Sequence, residues 1–272
     1  MKPLRSNDMP LLHLPRALHH LHSRLLTPSD ADPVLALRRD ILRAMPPALR
    51  AVDPERGCLP DVEQAWAHTH LGARARTLGV FDGSTLVALA CLLLADRTDP
   101  HDPGHALGLP QPEWDRTAHM ASCLVAEDYR GLHLQAKLLN WRREVALQNG
   151  RTLLLAMTAC GNEYSRRNLL AAGLGIHWVG QWRPGTWWYG LAEDIGPTAP
   201  PPSDRDHEWV GVSNIERQQA LLAAGFVGVA EMNWHGTERR HESRLQYVRR
   251  PANPLKTPVA ASERAQATEC VQ

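Results

Sequence analysis

The order in which two hydrophobic spacings follow one another constrains this chain most. Ser23–Thr27 reads as a short strand. Asp32 then caps a helix with Pro33 at its first position, and Val34, Leu37, Ile41 and Met45 recur at helical spacing until Pro46–Pro47. A second helix is expected around Asp61–Gly72. Arg76–Phe81 and Thr85–Ala95 read as strands joined by the turn pair Asp82-Gly83. Thr117–Val125 is a further strand. It leads into a helix with Leu134, Leu138, Trp141 and Val145 on one face, ending near Asn149-Gly150. Thr152–Thr158 is a strand, Asn162–Ala172 a helix stopped by Gly173, and Ile176–Trp182 and Thr186–Leu191 two more strands. This order predicts an α/β fold in layers, with a mixed sheet and helices on both faces.

Bulk properties exclude several classes. A chain of 272 residues buries a full core and leaves room for an appendage. The net charge of +1 gives no electrostatic footprint for nucleic acid or an anionic membrane. Leu86–Ala95, the longest nearly apolar run, is half a membrane span. No secretory signal is read in Met1–His22. Five cysteines without a CxxC pair argue against zinc and a disulfide framework, so a reducing cytoplasm is expected. His13, His19, His20 and His22 lack a second ligand cluster, and no metal is expected. Trp178, Trp182, Trp187 and Trp188 read as core, with an apolar substrate groove as the alternative.

Residues 1–22 read as an arm and 23–195 as the main domain. A proline-rich linker over 196–208, a smaller unit over 209–250 and a tail over 251–272 follow. The smaller unit reads as strand, helix, strand, strand. It echoes the main domain: NEYSRRNLLAAGL begins at Asn162 and NIERQQALLAAGF at Asn214, each with glycine eleven residues after the asparagine. The spacing points to a repeated half. One helix and a hairpin bury too little to stand alone, so this unit is expected to pack on the main domain.

Chemistry concentrates in VAEDYRGLHLQAKLL, Val125–Leu139. A strand ends, a polar turn carries Arg130-Gly131, and a helix begins. A helix start offers unpaired N–H groups and the positive end of the dipole, which together hold phosphate. The segment resembles motif A of the GNAT superfamily of N-acetyltransferases, through Val125, Tyr129, Arg130 and Gly131. His133 and Gln135 stand where that family prefers glycine-like residues, and a Cβ at 133 is expected to require a right-handed backbone. Asn162 with Gly173 resembles motif B, and the element order over Ser23–Leu191 is similar to the family's.

The resemblance implies a mostly antiparallel GNAT-like sheet and acetyl-CoA as co-substrate. It implies that backbone amides of Leu132, His133, Leu134, Gln135 and Ala136, beside Arg130 and Gly131, hold the diphosphate. Cys123, Leu124 and Val125 would pair with the pantetheine arm, an amide near Val125 would polarise the thioester, and Asn162 would anchor pantetheine between splayed strands.

Amine acylation needs a base. His119 is the candidate, because period-two alternation puts it on the face of Cys123 and Val125. For the leaving thiolate, similar enzymes use a Tyr seven residues after the motif B Asn. That position is Leu169, leaving Ser165 or water. Asp96, Asp99, Asp102 and Asp115 are candidates to attract a cationic amine. The expected activity is acetyl transfer from acetyl-CoA to a primary amine of a small molecule or protein. A catalytically weak module that binds acyl-CoA or a partner for regulation is the alternative, and a longer acyl donor a third reading. Homodimerisation is left open.

Overall fold

Strands assemble into one sheet, with helices packed on it, in the computed structural model, which describes residue 12 and residues 18–47, 60–99, 102–183, 185–196, 206–235 and 241–249. Most of the expected arm, residues 197–205 of the linker, the tail, Cys58 and Cys270 lie outside the described residues. The strands are β1 (Leu21–Leu25), β2 (Ala75–Asp82), β3 (Thr85–Leu94), β4 (Thr117–Val125), β5 (Leu153–Ala159), β6 (Gly175–Arg183), β7 (Thr186–Asp194), β8 (His207–Gly211), β9 (Phe226–His235) and β10 (His241–Arg249). The longer helices are α1 (Ala31–Ala44), α2 (Pro60–Leu71), α3 (Leu134–Gln148), α4 (Glu163–Ala171) and α5 (Ile215–Ala223).

The strands form a single mixed sheet in the order β1-β2-β3-β4-β5-β7-β6-β9-β10-β8. Every pair is antiparallel except β4–β5. Gly83 takes φ +55° in the β2–β3 turn, as the Asp-Gly pair requires. α1 and α2 bury Val34, Leu37, Ile41 and Leu71 against Phe81, Leu86 and Leu89. α3 buries Leu134, Leu138, Trp141 and Val145 in a separate cluster with Ala88, Ala90, Leu92, Ala118 and Met120. The mixed, mostly antiparallel sheet with helices on both faces is therefore as expected.

Two irregularities shape its centre. β4 and β5 are in register only from Thr117↔Leu153 to His119↔Leu155, and beyond that point they splay. In β4, Met120 pairs with Leu92 but Cys123 with Ala90, so Ala121 and Ser122 together face Cys91 as a bulge. The connection between β3 and β4 carries short elements of its own. It holds a one-turn helix, Pro103–Ala106, and a 3-10 segment, Gln111–Arg116, whose buried Trp114 packs with Leu107 and Leu109 onto Leu153 and Leu155.

The C-terminal unit continues the sheet through β6–β9 and repeats the β5–α4–β6–β7 half. Asn162 and Asn214 each cap a nine-residue helix, accepting from the N–H of Ser165 and Arg217. Gly173 and Gly225 close those helices at φ +97° and +88°. All these pairs are 52 residues apart, and so are His177 and Val229, the residues left out of register against β7 and β10. Across the seam Ile176 pairs with Gly228, which is its own counterpart at that spacing. A residue facing its own counterpart across antiparallel strands marks a twofold axis. Here the axis lies inside one chain.

Candidate functional site

Below the β4–β5 splay, the chain leaves Val125, makes a 3-10 turn over Glu127–Tyr129 and enters α3 at Leu134. Tyr129 donates its hydroxyl to Asp82 at 2.6 Å and Arg130 Nε reaches the Val125 carbonyl at 3.4 Å, which fixes the turn. Gly131 has φ +75° with open space where a Cβ would sit. His133 takes φ +57°, ψ +17°, so the expectation of a right-handed backbone there is overturned. The loop keeps the left-handed geometry that glycine favours and imposes it on histidine. His133 makes no side-chain cap, which leaves the first-turn amides of α3 to another acceptor.

Those amides open on a cavity of about 730 Å³. Its walls include Ile41, Met45 and Pro46 at the end of α1, the turn residues Val125, Tyr129, Arg130, Gly131, His133, Leu134, Gln135 and Ala136, and Asn162, Tyr164, Ser165 and Asn168 on α4. Most of the residues singled out for cofactor contact thus meet around one space. Cys123 and Leu124 lie farther up β4 and are not in this wall, and Leu132 is exposed outside it. Gln135 Oε1 accepts from Asn168 Nδ2 at 2.6 Å, tying the start of α3 to α4. Asn162 Oδ1 is engaged by the Ser165 N–H at 3.2 Å. The same cap forms at Asn214, which is not in this wall, so helix capping accounts for Asn162 by itself. An adjoining cavity of about 570 Å³ shares Tyr129 and Arg130 but is walled by Asp40, Asp82, Glu127 and Asp128. Coulomb repulsion makes it the wrong space for a polyphosphate.

The bulge moves His119 off its expected face. Ala118 and Met120 pack in the same cluster as Cys123 and Val125, so the residue between them points the other way. Its Nδ1 is buried without a hydrogen-bond partner. Burial, with smaller contributions from His70 and Arg142, pushes its conjugate acid down to about 3. An imidazole in that state is neutral throughout the physiological range and a weak base.

Sequence reasoning missed the groups around this bulge. His70 on α2 accepts or donates at both ring nitrogens: Nδ1 lies 2.8 Å from the Trp66 carbonyl and Nε2 3.0 Å from Ser122 Oγ. A carbonyl only accepts, so Nδ1 carries the proton and the Ser122 hydroxyl donates to Nε2. Burial pushes His70 down to about 4. On the α3 side, Arg142 is fully buried and donates to the Ala121 carbonyl at 3.3 Å, with its Nε unsatisfied. The loop acids are less available than expected, since Asp96, Asp99 and Asp102 converge on Arg74. Among the described residues no His, Cys, Asp and Glu cluster could hold a metal.

No family model matches the sequence. No curated protein matches it either. Solved structures do align with about two thirds of the chain. An acetyltransferase of the GNAT family from Streptococcus pneumoniae shares 15% identity over 65% of this chain and 99% of its own, with a TM-score of 0.48. An N-acetyltransferase from Staphylococcus aureus Mu50 gives 16%, 65%, 99% and 0.48. The Salmonella typhimurium protein yncA, solved with its cofactor acetyl-CoA, gives 14%, 67%, 98% and 0.49. The element order and the mostly antiparallel sheet with helices on both faces match the GNAT fold expected from motifs A and B. In this chain β9, β10 and β8 extend the sheet on the far side of β6, with α5 between β8 and β9.

Proposed function

We propose that this chain is an N-acyltransferase that moves an acetyl group from acetyl-CoA to a primary amine. One observation carries the reading: an uncapped helix start, preceded by left-handed residues 131 and 133, faces a 730 Å³ cavity at the mouth of the splay. Such a nest of N–H groups suits a diphosphate. In this reading the amides of residues 132–136 hold the diphosphate, with Arg130 at the entrance. Beyond His119 no pairing of β4 with β5 is registered, so Cys123–Val125 offer a strand edge to the pantetheine amides.

The amine nitrogen attacks the thioester carbonyl carbon, the C–S bond breaks, and the thiolate departs with the electron pair. An N–H near Val125 stabilises the oxyanion. The amine proton goes to solvent, because burial keeps the imidazoles of His119 and His70 neutral and weakly basic. Ser165, in the cavity wall, or water returns a proton to the thiolate. A small-molecule or protein amine is the acceptor class. The same proposal includes a cytoplasmic setting, in line with free thiols at Cys91, Cys123 and Cys160 and no described helix long and apolar enough to cross a membrane.

The alternative, a module that binds acyl-CoA without turning it over, is favoured by Leu169, which is buried at a position where similar enzymes carry a proton donor. Calorimetric titration with coenzyme A, followed by thiol release from acetyl-CoA with a panel of primary amines, separates them. Binding with turnover supports the enzyme, binding without turnover the module. Absence of binding, with no amide protection over Gly131–Ala136, sinks both.

A further inference from the structure

We infer that residues 206–249 act in cis as a twofold partner of residues 153–194, and that Glu231 of this pseudo-partner holds α4, and with it one wall of the 730 Å³ cavity, in place. The first part stands on geometry alone. The second rests on the proposed acyl-CoA reading where it concerns ligand affinity.

The contacts across the axis are reciprocal. Arg167 on α4 reaches Glu231 on β9 at 3.2 Å, and its counterpart Gln219 on α5 reaches the carbonyl of Val179, the counterpart of Glu231, also at 3.2 Å. Within each half the internal contacts match too: Arg166 donates to the Cys160 carbonyl, and its counterpart Gln218 donates to the Val212 carbonyl at 2.9 Å. Position by position, each pair is 52 residues apart. This is the pattern of an isologous dimer interface.

The two halves differ in charge. Glu231 receives both forks of Arg166 at 2.7 Å, with side chains 1% and 2% exposed. Burial pushes the Glu231 carboxyl up, but the hydrogen bonds of Arg166 and Arg167 more than offset this and leave it ionised. The mirror contact is uncharged. The ionic half is the one behind the cavity, since α4 also presents Asn162, Ser165 and Asn168 to it. A planar bidentate pair fixes orientation as well as distance, so Glu231 sets the angle of the helix that forms the wall. The same asymmetry selects the partner. A second copy docked through β6 would oppose Arg166 and Arg167 with Val179 and bury guanidinium without an acid.

The mirror contact supplies the control. In the full chain, Glu231→Gln is compared with Gln219→Ala by hydrogen exchange, coenzyme A titration and sedimentation. Glu231→Gln is expected to speed exchange over Glu163–Ala171 and weaken coenzyme A on the order of tenfold. Gln219→Ala is expected to loosen only Ile215–Ala223 and leave affinity within about twofold. Should Glu231→Gln not fold, the triple variant Arg166→Gln, Arg167→Gln, Glu231→Val, which copies the mirror residues, takes its place with the same expectation. Equal effects of both sides on affinity, unchanged exchange in α4, or a wild-type dimer abolished by Ile176→Arg would each overturn the inference. If wild type binds no coenzyme A, the functional proposal falls, and the exchange comparison alone decides this one.

Discussion

His133 is where a local rule yields to the loop. Left-handed backbone costs an L-residue about 1–2 kcal/mol, and His133 is the described non-glycine residue that adopts it. The sequence showed that a glycine position was occupied, but not which way the backbone would go. The reason is that the turn is held from outside, by Tyr129 on Asp82 and Arg130 on Val125. His133→Gly should raise stability by about 1 kcal/mol or less, because strain relief is partly offset by the entropy of glycine in the unfolded chain. His133→Val should lower it by about 1–2 kcal/mol, since a branched Cβ tolerates this region least. Thermal unfolding of the two variants checks both signs. A stabilising His133→Val would mean that the loop is not left-handed.

At the scale of elements, most strands and helices were legible within a few residues because periodicity and caps are local properties. β4 was placed correctly, yet its facing was not, since one bulge reverses the alternation between His119 and Cys123. No residue type announces that bulge, so the His70–Ser122 contact between α2 and β4 was invisible too. Packing these elements buries two neutral imidazoles, with Arg38 near His70 and Arg142 near His119. Unfolded histidines bind protons near pH 6.5, whereas the folded chain refuses them until about 4 at His70 and about 3 at His119. Stability contributed by the neutral forms is therefore complete above about pH 6.5 and is lost as pH falls below it. Each group steepens the loss toward about 1.4 kcal/mol per pH unit. Urea unfolding between pH 7 and 4.5 measures this, and His70→Gln should remove roughly half the slope. A flat profile would mean these rings are already solvated.

For the whole molecule, the repeat was readable because an asparagine cap and a closing glycine keep their spacing in both copies. How the copies meet was not readable, as it depends on a close approach at Gly228, where a Cβ would come within 3.1 Å of the Ile176 Cβ. β6 is in register with β7 from Gly175 to Arg183, but with β9 only at the one pair on the axis. Ladder hydrogen bonds resist tension together, and a short ladder has few to share it. Stretched between its termini in an optical trap, the chain should yield there first. β8, α5, β9 and β10 would come away as one body in an early, low-force rip, and the strands from β1 to β7 would break later in a second event.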